Sequence, residues 1–226
     1  MNRPLALLRP EPGWSASAAT ARAMGIEVLG HPLFKSEPLD WRLPTAQFDA
    51  LLIGSAAVFA QGGPQLEQLR RLPVHAVGES TALAARKSGF VVAQTGVGGL
   101  QSLLDSAAGK PLRFLRLGGE ERVRLQPRAG QSLIEVAVYR LRPLALERAL
   151  TDALTTRNPI VALHSAAAAR QFAAEVDHLG IARGRLVLLA LAPRIAKEAG
   201  LGWAALHIAE APSDAALLAK AAALCE

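Results

Sequence analysis

The sequence predicts an α/β protein built from two similar parallel-sheet units, and three observations carry that expectation. Apolar runs of strand length recur along the chain, alanine-rich helical stretches separate them, and the second half repeats the first in the same order. Parallel neighbours need a crossover between them, and strands buried on both faces read as unbroken apolar runs, so this pattern selects parallel sheets.

The runs are Leu5 to Leu8, Ala50 to Ile53, Val74 to Val77, Leu112 to Leu115, Ile160 to Leu163 and Leu186 to Leu191. The helical stretches are weakly amphipathic. "STALAARKSG" ends at Gly89 and "PRIAKEAG" at Gly200, both expected as left-handed caps. No Gly/Ser linker separates the halves. Instead "EVLGHPLFKSEP" and "EVAVYRLRP" end at proline, which pushes the preceding residue toward extended geometry. They are expected to pair as a two-stranded connector.

The repeat keeps a nearly constant offset of about 110 residues. "LALLRP" matches "LRFLRLGG", bringing Arg9 onto Arg116, and Glu27 falls on Glu135. "FDALLIGSAAVFA" matches "PIVALHSAAAARQFA", with Ser55 on Ser165, and "VHAVGESTALAARKSGF" matches "LVLLALAPRIAKEAGLG", with Gly89 on Gly200. Three paired elements in one order imply two α/β units of about 110 residues.

Composition narrows the function classes. With 51% hydrophobic and 19% charged residues in 226, the chain lies far from the disordered class. No apolar run approaches the roughly 18 residues of a membrane span. The four-residue run before Arg9 is shorter than the roughly 7 to 15 of a signal peptide, so the cytoplasm is expected. A single cysteine, Cys225, excludes an internal disulfide and a cysteine-rich metal site. The net charge of +6 points to an anionic partner. Aromatics at 4% leave few stacking platforms, and no recognition-helix or zinc-finger signature is present, so a small polyanion fits at least as well as nucleic acid.

The segment Gly78-Glu79-Ser80-Thr81 admits several readings. A nucleophile elbow fails because Ala82 stands where glycine is needed, and the five histidines show no triad spacing. A phosphate loop fails because "TGVGGL" lacks the lysine and the preceding strand. No metal is expected, and His164 reads as a packed or satisfied histidine rather than a ligand. What remains is that Ser80 or Thr81 caps a helix while neighbouring amides, including that of Gly78, face a crevice at the carboxyl end of the sheet. Helix N-termini carry unpaired N–H groups and partial positive charge, which favour carboxylates. The same strand-end pattern recurs at Gly54-Ser55, His164-Ser165 and Ala192-Pro193-Arg194. Each position is either a cap or a carboxylate binder. Within the arginine-rich segment 113 to 128, most side chains read as a solvated face, while Arg116 and Arg122, beside Gly118-Gly119, are candidates for the site.

With these residues in hand the sequence resembles the uroporphyrinogen-III synthase family along essentially its whole length. The marks are Arg9-Pro10 after the first strand, the serine turns in "FDALLIGSAAVFA" and "ALHSAAA", the "AVGESTALAARKSGF" segment, "LRLGGEERVRL", "VAVYRLRP" and the closing "APSDAALLAKAAAL". The resemblance implies two flavodoxin-like α/β domains joined by a β-ladder, residues 1–32 with 143–226 and residues 33–142, with the active site in the cleft between them. It implies a monomeric enzyme without cofactor that cyclises hydroxymethylbilane, a linear tetrapyrrole with eight carboxylates, to uroporphyrinogen III, inverting the last ring and losing water. The enzyme that forms hydroxymethylbilane is a further implied partner, and neither nucleic acid nor membrane is.

For the site, the resemblance implies that Tyr139 donates to the departing hydroxide, against the alternative that it only packs in the ladder. Arg9, Ser55, Gly78, Ser80, Thr81, Arg116, Arg122, Ser165 and Arg194 are then the expected substrate binders. Departures from the family pattern stand at Gly54 and His164, where threonine is usual, and at Ala192-Pro193-Arg194-Ile195, where a Gly-Pro-Thr-Thr type turn is usual. Arg194 either replaces the lost hydroxyls with a stronger carboxylate contact or marks a catalytically degenerate member that only binds a tetrapyrrole or another anion.

Overall fold

The computed structural model describes residues 3–107 and 111–225, which divide into two compact units. Unit 1 comprises Met1–Lys35 and Pro143–Glu226, and unit 2 comprises Ser36–Arg142.

Unit 1 contains β1 (Leu5–Leu7), α1 (Gly13–Ala23), β2 (Val28–Leu29), α5 (Arg148–Thr156), β9 (Ile160–Leu163), α6 (Ala166–His178), β10 (Val187–Ala190), α7 (Pro193–Ala199), β11 (Ala205–Ile208) and α8 (Asp214–Cys225). Its sheet has the order β11-β10-β9-β1-β2, every pair parallel. All residues of β1, β9 and β10 are buried, because successive side chains enter different cores on the two faces. Ala6, Val161, Leu163 and Leu188 pack with Leu150, Leu154, Phe172, Val176 and Ile195, under α5, α6 and α7. Leu5, Leu7, Ile160 and Leu189 pack with Ala18, Ala21, Leu217 and Ala221, under α1 and α8.

Unit 2 contains β4 (Ala50–Ile53), α2 (Ala57–Gln61), β5 (Val74–Val77), α3 (Glu79–Lys87), β6 (Val92–Gly96), α4 (Leu100–Ser106), β7 (Leu112–Gly119) and β8 (Gln131–Pro143), with β3 (Phe34–Pro38) entering from unit 1. The sheet order is β3-β8-β7-β4-β5-β6, and β8 through β6 run parallel. Leu51, Ile53, Val74 and Leu115 pack under α2 and α3, while Ala50, Leu52 and Phe114 pack with Leu103 and Leu104 of α4.

The expected connector is present. Leu144 N–H donates to the Leu33 carbonyl at 2.8 Å and Leu39 N–H to the Val138 carbonyl at 3.0 Å. Numbers rise along β3 as they fall along β8, so this pair is antiparallel and the unit 2 sheet is mixed rather than wholly parallel.

The repeat is visible in the sheets. β7, β8, β4, β5 and β6 occupy in unit 2 the places that β1, β2, β9, β10 and β11 hold in unit 1, so each sheet draws strands from both halves of the chain. One element breaks the correspondence: α1 joins β1 to β2, whereas residues 120–130 join β7 to β8 without a helix. Some boundaries differ from expectation. The Leu112 strand continues to Gly119, and the Leu186 to Leu191 run is strand only over Val187–Ala190. Gly89 and Gly200 both have the expected positive φ, 81° and 76°, and Gly200 caps α7, its N–H donating to the Lys197 carbonyl.

In each sheet the chain departs in opposite directions from two adjacent strands, β1 and β9 in unit 1, β7 and β4 in unit 2. The connections after such strands go to opposite faces and open a crevice at their carboxyl ends, the topological switch point where open α/β sheets bind ligands. Among the described residues no helix is long and apolar enough to cross a membrane.

Candidate functional site

At the unit 1 switch point, Arg9 follows β1 and His164 and Ser165 follow β9. Asp214, the first residue of α8, joins them. Its Oδ1 accepts from Arg9 Nη1 and His164 Nε2, each at 2.9 Å, and its Oδ2 accepts from Ser17 Oγ at 2.7 Å. Arg9 Nη1 also donates to Ser17 Oγ at 2.9 Å. Ser17 is fully buried and the His164 side chain is only 7% exposed. Gly13 makes room for the cation: a Cβ there would lie 2.7 Å from Arg9 Cζ.

The electrostatics of this cluster are self-contained. Burial pushes the His164 pKa down, and the Arg9 charge adds to that, against the opposing pull of Asp214. Burial alone would raise the Asp214 carboxyl, but bonds from His164 and Ser17 and the charge of Arg9 hold it below the usual carboxylate range. An ionised carboxylate only accepts, so His164 Nε2 carries the hydrogen and the neutral ring presents Nδ1 as a lone pair. Arg9 is therefore committed to Asp214 rather than standing as a free cation. Ser165 caps α6, accepting from Ala168 N–H at 3.1 Å. Arg194 is exposed in the first turn of α7 and has no ion pair among the described residues.

At the unit 2 switch point, Ser55 Oγ accepts from Ala57 N–H at 3.2 Å. A Cβ on Gly54 would lie 3.0 Å from Leu100 Cδ1, so an apolar side chain fills the space beside that turn. Two expectations for the Gly78 segment are corrected. The cap of α3 is Gly78 itself, at φ 75° and ψ 154°, and neither Ser80 nor Thr81 makes a capping bond. The Gly78 amide is not offered to a ligand either: that backbone conformation directs its N–H to the Gly96 carbonyl at 2.9 Å, extending the β5–β6 ladder. Ser80 is exposed and Thr81 is buried, at 3% exposure.

Arg116 stands in register with Glu135 of β8, and its Nη1 donates to Glu135 Oε1 and, at 2.8 Å, to the Val123 carbonyl. Its charge is matched across the strands, although its Nε is buried without a partner among the described residues. Arg122 packs its stem over Gly118, and its Nη1 is likewise buried and unpaired among the described residues. Tyr139 is in register with Gly119, where the β7–β8 ladder shifts. A Cβ on Gly119 would lie 3.1 Å from Tyr139 Cε2, so glycine lets the ring lie on the strand. The ring belongs to the unit 2 core, and the hydroxyl makes no hydrogen bond among the described residues.

Of the residues singled out from sequence, unit 1 carries Arg9, Ser165 and Arg194, and unit 2 carries Ser55, Gly78, Ser80, Thr81, Arg116, Arg122 and Tyr139. All lie at or near the carboxyl edge of their own sheet. Arg122 and Arg194 are the candidate cations without an acidic partner among the described residues. Sequence reasoning missed Ser17 and Asp214, while His164, expected as a packed or satisfied histidine, has Asp214 as its partner. The available signal was Asp214 opening the last helix after "APS", an acidic N-terminus next to a strand-end arginine. A cavity of about 700 Å³ lies elsewhere in unit 1, lined by Arg3, Arg157, Asn158 and Arg185 at the amino ends of the strands, away from the switch point. Among the described residues no three His, Cys, Asp or Glu side chains group as a metal site.

Fold and site together define a class: interleaved two-unit α/β proteins whose polar residues gather at the switch point of each sheet. Within that class the family model described as uroporphyrinogen-III synthase HemD matches residues 15–219, and the chain belongs to that family. The fold is similar to the uroporphyrinogen-III synthetase of Helicobacter pylori, at 19% identity and TM-score 0.65 over 98% of this chain and 99% of that one. It is also similar to a mutant uroporphyrinogen III synthase of Thermus thermophilus, at 17% identity and TM-score 0.50 over 99% and 100% of the two chains. No curated protein matches the chain significantly by sequence.

Proposed function

We propose that this protein is a uroporphyrinogen-III synthase, closing hydroxymethylbilane to uroporphyrinogen III with inversion of the last ring and loss of water. The observation that carries this reading is membership of the family across residues 15–219. The polar carboxyl edges of both sheets support it.

The chemistry asks mainly for geometry. An electron-rich pyrrole expels hydroxide readily, and the resulting electrophile closes to the type I isomer unless the chain is held for attack through the substituted carbon. Positioning is the main catalytic contribution. The substrate's eight carboxylates need donors, and Arg122 and Arg194 have guanidinium nitrogens to give, with Ser55, Ser80, Thr81 and Ser165 as hydroxyl contacts. Arg9 and Arg116 act through the acidic groups they hold in place. Tyr139, with a hydroxyl unengaged by the fold, is the residue to protonate the departing hydroxide. The enzyme that makes hydroxymethylbilane is the natural supplier of so unstable a substrate.

The test is isomer analysis. Freshly prepared hydroxymethylbilane is added to the purified protein, the products are oxidised, and type I and type III porphyrins are separated against a protein-free control. Dominant type III product establishes the cyclase. Type I product at the uncatalysed rate overturns it and leaves a protein of this fold that binds tetrapyrroles or other anions without catalysis.

A further inference from the structure

The fold treats the two ring nitrogens of His164 differently. Nε2 lies 2.9 Å from Asp214 Oδ1, whereas Nδ1 is buried with no partner among the described residues. Asp214 is itself fixed, since Arg9 shares its Oδ1 and Ser17 holds its Oδ2. The carboxylate is thus not free to turn toward a ligand, and the ring is clamped with its lone pair on the side away from Asp214. An unpaired buried acceptor costs stability, and a native structure keeps one where something is to fill it.

The surroundings select the chemistry of the filler. A lone pair backed by an ionised carboxylate opposes another carboxylate and favours an N–H or O–H donor. On the uroporphyrinogen-III synthase reading, on which this inference rests, the ligand is rich in carboxylates and its recurring donors are pyrrole N–H groups. We propose that His164 Nδ1 accepts a pyrrole N–H of the bound tetrapyrrole, with Asp214 as the positioning residue that fixes the tautomer and Arg9 and Ser17 holding Asp214. As hydroxide departs, positive charge spreads into the pyrrole and its N–H becomes a stronger donor, so this contact tightens toward the transition state. Nδ1 is covered in the free protein, so the contact requires a local opening of the crevice when the ligand enters.

Protein carrying nitrogen-15 in its histidines is titrated anaerobically with uroporphyrinogen III, which has pyrrole N–H groups but no hydroxymethyl hydroxyl. Calorimetry follows binding separately. The expected result is saturable binding with an upfield shift of the His164 Nδ1 resonance while Nε2 stays protonated. Saturable binding with Nδ1 unmoved, or absence of binding, overturns the inference, whereas the synthase reading stands or falls separately on the isomer analysis. A shift produced by hydroxymethylbilane but not by uroporphyrinogen III overturns the pyrrole assignment in favour of the terminal hydroxyl. Two variants separate the nitrogens. His164→Gln keeps an N–H for Asp214 and loses the acceptor, so its affinity for uroporphyrinogen III falls about tenfold, the worth of one hydrogen bond, at an unchanged thermal midpoint. His164→Asn places an amide oxygen near Nδ1 and retains more of the binding. Equal affinity losses in the two variants reduce His164 to a structural residue.

Discussion

Tyr139 and Gly13 show how little room the site residues have. Tyr139 is 7% exposed and its ring lies on Gly119, with a hydroxyl left unbonded among the described residues. Tyr139→Phe therefore keeps the packing: thermal unfolding changes by no more than about 0.5 kcal/mol, while kcat for cyclisation falls about tenfold. An unchanged rate assigns Tyr139 to packing alone. Gly13→Ala is the complementary experiment. Its Cβ would meet the Arg9 guanidinium, which Asp214 and Ser17 hold in place, so the variant loses about 1–3 kcal/mol in urea unfolding. That loss outweighs the helix propensity alanine brings, and wild-type stability would show that Arg9 has another place to go. Ser165 was legible as a cap because capping is local, an oxygen meeting an N–H three residues on. The Arg9–Asp214 pair was not, because its partners lie 205 residues apart and only the sheet order brings them together. The Gly78 amide was misread for a related reason: its acceptor is Gly96, on the next strand, and no local pattern announces a ladder bond.

Among the elements, buried strands were the most legible part of the sequence. Ala50–Ile53 and Ile160–Leu163, buried throughout, begin and end where the apolar runs do, because strands covered on both faces read as unbroken apolar runs, and Val74–Val77 keeps its expected bounds although His75 and Val77 are only half-buried. The Arg9/Arg116 match in the repeat does not carry over to the strands, because Arg9 lies beyond β1 whereas Arg116 lies inside β7, in register with Leu52 and Glu135. Their partners differ, since Arg116 finds Glu135 on the adjacent strand while Glu27, the counterpart of Glu135, pairs with Arg157. Repetition preserved the backbone plan and not the charge pairing. One ion pair joins elements in a way that pH can read. Asp49, just before β4, accepts two bonds from the Arg113 guanidinium of β7 and one from its backbone N–H. The Arg113 side chain first and then that N–H lower the Asp49 pKa from 3.8 to about 2. A carboxyl depressed in the folded state stabilises above its unfolded pKa and loses that contribution as pH falls through its folded value. The Tm advantage of the wild type over Asp49→Asn is thus full above pH 4 and shrinks as pH falls from 4 to 2. A difference constant across that window would show that Asp49 titrates normally.

At the scale of the molecule, the cores obey the division into units. The clusters built on Phe172 and on Leu217 draw only on unit 1, and those built on Leu115 and on Phe114 only on unit 2. Unit 2 is also continuous in sequence, so a fragment of residues 36–142 is expected to fold alone with a cooperative urea transition. Residues 143–226 alone are not, because they lack β1 and β2 of their own sheet. A fragment 36–142 without a cooperative transition would show that its core needs the rest of the chain. The interleaving also sets an order for folding on the ribosome. Leu5 pairs with Ile160, so at roughly 5–20 residues per second β1 and β2 emerge about 10–30 s before the strand they must join. During that interval unit 2 can close around its own core while the first strands wait with bare edges. Strands β1 and β2 are thus made ahead of β9 yet complete their sheet only after it, and in between their open edges are free to pair elsewhere.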